Sequence, residues 1–207
     1  MDIVKQTNIP ETGWTQHYDV LRELGDCYVS VGEYDKAREC YDEAVGLAPD
    51  EAAPYIGFGV IAMQTGELAD AETAFKVARR LDPKCSKAYC GLAMICQNRS
   101  DAAGAFDLYL KSLETDSDNL TALLGLFQLS CAMGSFSKVI YYLEIYLDAH
   151  PGDITVMFCL ATLHLKDKQP HKARELLLNI LALDANNKDA SDLLEEAEHI
   201  LAQECRS

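Results

Sequence analysis

The sequence predicts an all-α protein made of antiparallel helix pairs stacked in a row, and three observations carry that prediction. The chain has 207 residues, 49% hydrophobic and 25% charged, enough apolar content to bury a core. Its landmark residues recur with a constant step: Pro49 and Pro83 lie 34 residues apart, and Pro151 lies two such steps further on. Gly32, Gly66 and Gly134 keep the same step, with Ser100 in the intermediate place. Ala37, Ala71, Ala105 and Ala173 do likewise around Val139, as do the large apolar residues Tyr41, Phe75, Tyr109, Leu143 and Leu177. Within each step, apolar residues recur at helical spacing twice, separated by a short break.

Five windows follow without insertion or deletion: 18–51, 52–85, 86–119, 120–153 and 154–187. Residues 1–14 hold Pro10 and Gly13 and read as a mostly irregular N-terminal extension; Trp14, the only tryptophan, is expected to pack on the first helix. In the first window Leu21, Leu24, Cys27, Tyr28 and Val31 mark one helix, and Gly32-Glu33 breaks it. Tyr34, Ala37, Cys40, Tyr41, Ala44 and Val45 mark an amphipathic second helix that Pro49-Asp50 ends, with Asp50 expected to cap the next one. The later windows repeat this plan. Gly25, Gly59 and Ala93 sit where two helices of a pair approach closely, opposite Ala37, Ala71 and Ala105. Residues 188–204 place Leu193, Leu194, Ala197, Ile200 and Leu201 on one face and acidic residues largely off it, as a solubilising cap helix requires. A lone pair cannot bury these faces, so the pairs must stack.

These residues resemble the tetratricopeptide repeat (TPR) family. Leu21, Leu24, Gly25, Tyr28, Ala37, Tyr41, Ala44 and Pro49 fit its pattern throughout the first window. Tyr55, Phe58, Gly59, Ala71, Phe75, Ala78 and Pro83 fit nearly as well in the second, and the last two windows diverge most. The resemblance implies a TPR-type α-solenoid, a right-handed superhelix of antiparallel pairs, with residues 15–207 as a single domain. It also implies a concave face, lined by the first helix of each pair, that holds a peptide. Carried onto this chain, that face offers Arg22 and Asp26 in the first window and Ile56, Gly57, Val60 and Met63 in the second. The third offers Lys87, Gly91, Met94 and Asn98; the fourth Leu124, Gly125 and Gln128; the fifth Phe158 and Thr162. The middle of this lining is apolar, which suits an apolar peptide face. Gly57, Gly91 and Gly125 are each costly inside a helix, and two readings stand: close approach of a bound backbone, or room for a neighbouring helix of the same chain. The family's carboxylate clamp, which holds acidic chaperone tails with Lys, Asn and Arg, is not expected. Its places here are Arg22, Asp26, Gly57, Lys87 and Gly91.

Charge narrows the partners. Eighteen Lys and Arg against 33 Asp and Glu leave a net charge of −15. The acidity lies at the ends: residues 1–51 carry −8, 52–116 carry −1 and 117–207 carry −6. A nucleic-acid surface or an anionic membrane would need clustered cations, so neither is expected. No apolar run approaches the ~20 residues that span a bilayer. The N-terminal residues lack a signal-peptide layout, so a cytoplasmic protein is expected. The eight cysteines form no Cys-x-x-Cys and no zinc spacing, and most are expected to be small buried apolar residues. The five histidines, His17, His150, His164, His171 and His199, make no His-x-x-x-His pair or nucleophile motif. No catalytic residue, metal or cofactor is expected. The expected function is a non-enzymatic scaffold or adaptor that binds an apolar or amphipathic peptide or helix of a partner protein. Two alternatives are a self-assembling scaffold (a homo-oligomer), for which Tyr141, Tyr142, Ile145 and Tyr146 offer an aromatic group, and a cytoplasmic chaperone that masks a hydrophobic segment of a secreted protein.

Overall fold

Every window resolves into two helices of 13 or 14 residues, the length that its apolar spacing and its break allow, apart from a longer first helix. The computed structural model describes residues 11–204, with side chains from Thr15 onward. The expectations for residues 1–10 and Cys205, and for the side chain of Trp14, lie outside the described residues. The helices are α1 (Glu11–Ser30), α2 (Tyr34–Leu47), α3 (Ala53–Thr65), α4 (Leu68–Leu81), α5 (Ser86–Asn98) and α6 (Ala102–Thr115). They continue as α7 (Leu120–Met133), α8 (Ser137–Ala149), α9 (Ile154–Lys166), α10 (Pro170–Leu183) and α11 (Lys188–Glu204). The start of α1 corrects one expectation: residues 11–14, read as part of an irregular extension, are helical.

The break inside each pair has one geometry. Residues 32, 66, 100, 134 and 168 all adopt a left-handed backbone, with φ of 79°, 81°, 63°, 70° and 58°. Glycine accepts that conformation freely at Gly32, Gly66 and Gly134, whereas Ser100 and Lys168 hold it with a side chain. The turn is worth this because the next amide reaches back over the helix end. Glu33 N–H donates to Tyr28 O at 2.9 Å, Glu67 to Ala62 O at 2.8 Å, Asp101 to Cys96 O at 2.9 Å and Gln169 to His164 O at 2.7 Å. Starts are capped by register too. The side chains of Asn119, Asp153 and Asn187 accept from the amides of Ala122, Val156 and Ala190 at 3.0–3.1 Å. Asp50 does not take that role: the residue before α3 is Ala52, with no side-chain cap.

The chain divides within α6 into two compact units, one up to Leu108 and one from Tyr109. In the first, Ala37, Tyr41 and Ile61 form one buried cluster with Tyr28, Tyr34 and Phe58 against it. Ala62, Ala71, Phe75, Leu92 and Ile95 form the next. In the second unit Met157, Ala161, Ala173, Leu177 and Ile180 join Ala190 and Ala197 of α11, with Leu193 and Leu194 packed beside them. The cysteines divide: Cys40, Cys90 and Cys159 are buried, Cys85, Cys96 and Cys131 half-buried, and Cys27 exposed. The expectation that most are buried therefore holds for only three of the seven described.

Candidate functional site

In the first unit α3 touches both α1 and α5. Ile56, Val60 and Met63 on α3 are half-buried against the cluster around Phe75, so each keeps part of its apolar surface open. Met94 on α5 is more open, 38% exposed. Lys87 and Asn98, on the same helix, are exposed. On α1 the charge is already engaged. Arg22 pairs with Asp26 at 3.4 Å and with Glu23 at 3.2 Å. Asp26 also accepts the Tyr41 hydroxyl at 2.7 Å. Burial and that hydrogen bond push the Tyr41 phenol well above its ordinary value, so it stays a donor.

The repeated glycines pack against rings of the chain itself. A Cβ on Gly91 would stand 2.5 Å from the ring of Phe75, and one on Gly59 would meet the same ring at 2.6 Å. Gly25 and Gly57 bracket Tyr41 in the same way, and Gly125 closes on Tyr109. Gly57, Gly91 and Gly125 are all buried. Of the two readings, room for the chain's own packing is the one observed: each glycine admits an aromatic ring of the preceding pair. The Tyr41–Asp26 bond leaves only a partial signal in the sequence, because Tyr109 of the third window has Met94 at the place of Asp26. The window with Phe75, which needs no acceptor, has the apolar Val60 at the place of Asp26.

In the second unit Leu124 on α7 and Phe158 on α9 are half-buried, the latter against the cluster around Leu177. Gln128 is exposed, and the Thr162 hydroxyl donates to Phe158 O at 2.9 Å, back into its own helix. Tyr141 is 58% exposed and sits edge-on to Tyr142 at 5.3 Å. Tyr146 is buried and stacks on His150 at 4.4 Å.

Nucleophile chemistry finds little support in these groups. Burial pushes the Cys90 thiol up to about 12 and the Cys159 thiol up to about 11, away from the reactive thiolate. His164 is 2% exposed, and its Nδ1 has no partner. Burial, with Lys172 nearby, lowers its pKa. Among the described residues no group of three or more His, Cys, Asp or Glu is placed to hold a metal ion. No helix among them is long and apolar enough to cross a membrane.

Two tetratricopeptide repeat family models match the chain, over residues 18–51 and over residues 56–119. Residues 18–51 and 56–119 are tetratricopeptide repeats, and the described helices fit a TPR repeat array. TPR repeats mediate protein–protein interaction, and the fold is typically a non-enzymatic scaffold. The heat-shock protein cognate co-chaperone sgt12 of Aspergillus fumigatus is 27% identical over 104 residues, half of this TPR chain. The match spans only 30% of that relative's length. Among solved structures, Pseudomonas aeruginosa pilF superposes with a TM-score of 0.69 at 16% identity, covering 92% of this chain and 93% of its own. The first TPR of Spaghetti (RPAP3), solved with an HSP90 peptide, gives 0.51 at 26% identity, over 58% of this chain and 95% of its own.

Proposed function

We propose that this TPR protein is a non-enzymatic adaptor whose first helices hold an apolar or amphipathic segment of a partner protein. The observation that carries the reading is the partly open apolar surface of Ile56, Val60 and Met63 on α3 and of Met94 on α5, two helices in contact, with α3 also touching α1, which carries Asp19, Glu23 and Asp26. Apolar surface left open at one place on an acidic, water-exposed array favours a partner there. Methionine supplies contacts that adapt to different apolar faces. Lys87 and Asn98 extend the proposed lining within the first unit; Leu124, Gln128, Phe158 and Thr162 are proposed as contacts of the second unit taken by itself, and residues 15–207 are proposed as one repeat domain. We place its action in the cytoplasm, with no cofactor, in keeping with the co-chaperone relative.

That relative and the peptide-bound RPAP3 domain raise the question of an acidic chaperone tail as ligand. The local chemistry favours a different segment. Arg22 is spent on Asp26 and Glu23, and rings fill the space at Gly57 and Gly91. Only Lys87 is left with its charge on offer, which is little to hold a carboxylate. Selection from a displayed peptide library tests the reading. Peptides enriched in apolar and basic residues are expected, with affinity reduced about tenfold or more by Met94→Glu. Enriched peptides that are acidic, or that bind Met94→Glu as well as the wild type, would refute it.

A further inference from the structure

In this array the second helix of one pair packs on the first helix of the next: α2 on α3, α4 on α5, α8 on α9 and α10 on α11. The receiving helix is apolar at the same three register places each time. On α5 these are Ala88, Leu92 and Ile95; on α9 they are Val156, Leu160 and Leu163; none is more than 5% exposed. Ala122, Leu126 and Leu129 of α7 are likewise buried. On α1 the same places hold Val20, Leu24 and Cys27, and here they are open: Val20 is 59% exposed, Leu24 41%, and Cys27 is exposed too. With Val31, 70% exposed, they follow one another at steps of four, three and four residues, a single stripe along the helix. The stripe is about 16 Å long at 1.5 Å per residue. At Val20, Leu24 and Cys27 it is therefore built like the buried receiving faces of α5, α7 and α9, with no helix among the described residues to cover it.

Two occupants can be weighed, a second copy and a helix of another protein. A second copy is opposed by charge. Residues 1–51 carry −8, so two fronts would repel, and the opposite end, residues 117–207, carries −6. A positively charged helix meets attraction where a second copy meets repulsion, and Glu23, which borders the stripe, stays 70% exposed at its side chain while paired with Arg22. We propose that the stripe of Val20, Leu24 and Cys27 on α1, with Val31 just beyond its end, docks a basic amphipathic helix of a partner protein, which takes the place of the second helix of a preceding pair. The stripe shares no apolar residue with the Met94 surface, and neither reading depends on the other.

Cys27 reports directly on this docking, because its thiol is exposed on the stripe. The experiment follows its alkylation by maleimide in the full chain, with peptide mapping to separate it from the other cysteines. The basic probe is a lactam-braced peptide of the α4 sequence, residues 68–81, with Asp70→Lys, giving net +3; the acidic probe is the α2 sequence, residues 34–47, with Cys40→Ser so that it carries no thiol, net −2. Circular dichroism first establishes that both are helical. At ten times its Kd the basic probe is expected to slow alkylation about tenfold, since protection follows one plus the ratio of free probe to Kd. Leu24→Glu, which alters a side chain already in water, is expected to keep the thermal midpoint and to remove most of the protection. The acidic probe is expected to protect several-fold less, and added salt to narrow the gap. The proposal is overturned if the basic probe gives no protection, if protection survives Leu24→Glu, or if the acidic probe protects equally. It is also overturned if alkylation without probe slows as dimers form in light scattering, or speeds up when residues 2–10 are deleted. Those two results would assign the face to a second copy or to the chain's own N-terminal segment.

Discussion

Gly91→Ala sets two effects of opposite sign against each other. Alanine is the better helix former by about 1 kcal/mol, so on propensity alone the change would stabilise α5. The new methyl, however, would lie 2.5 Å from Cζ of Phe75 and 2.6 Å from both Cε atoms. Carbon atoms prefer about 3.5–4.0 Å, so the ring must retreat by about 1 Å. It has little room to retreat, because Gly59 faces the same ring, so closely that a Cβ there would lie 2.6 Å from Cε1, and the ring is only 2% exposed. Overpacking of this kind costs about 1–3 kcal/mol, which at least cancels the propensity gain and leaves a net loss of up to about 2 kcal/mol. For a chain of this size that lowers the thermal midpoint by up to about 4–8 °C. Gly46→Ala is the control. It carries the same propensity term in α2, but nothing lies within 4 Å of its Cβ position, so it should raise the midpoint by about 1–3 °C. Phe75→Leu combined with Gly91→Ala should be less destabilised than the sum of the two, with a coupling of about 1 kcal/mol. The assay is thermal melting followed by circular dichroism for all four proteins. A higher midpoint for Gly91→Ala, matching that of Gly46→Ala, would refute the aromatic-socket reasoning.

Two further predictions follow from the same register. Lys168→Gly and Ser100→Gly should each stabilise by about 0.5–1 kcal/mol, because the left-handed backbone costs a side-chain-bearing residue more than glycine loses through its freer unfolded chain; denaturant midpoints check this, and unchanged or lower values would count against it. His164 is held neutral by burial, its pKa lowered, so the unfolded chain binds the proton more readily. Its contribution to stability is complete above the unfolded value of about 6.5 and is lost as pH falls toward the folded one. His164→Leu should therefore flatten the fall in thermal midpoint between neutral and mildly acidic pH, and an unchanged slope in the variant would show that other groups set the acid limit.

The 34-residue step, the two helices per window, the break at Gly32 and its successors, and the apolar face of residues 188–204 all follow from the sequence alone. Each is a local pattern, set by apolar spacing and by backbone preference within a few turns of chain. What periodicity cannot tell is which neighbour an apolar or small position meets. Gly57, Gly91 and Gly125 lie on the helix edge between the core side and the open side, and only the packed structure puts an aromatic ring against each. Arg22 and Asp26 look like free charges in the sequence, and only folding pairs them with each other and Asp26 with the Tyr41 hydroxyl. Val20, Leu24 and Cys27 read like their counterparts in every later window, yet they are open because no described helix precedes α1. Sequence determined the repeating unit through short-range propensity, whereas tertiary structure decided burial, which depends on whether another element stands opposite.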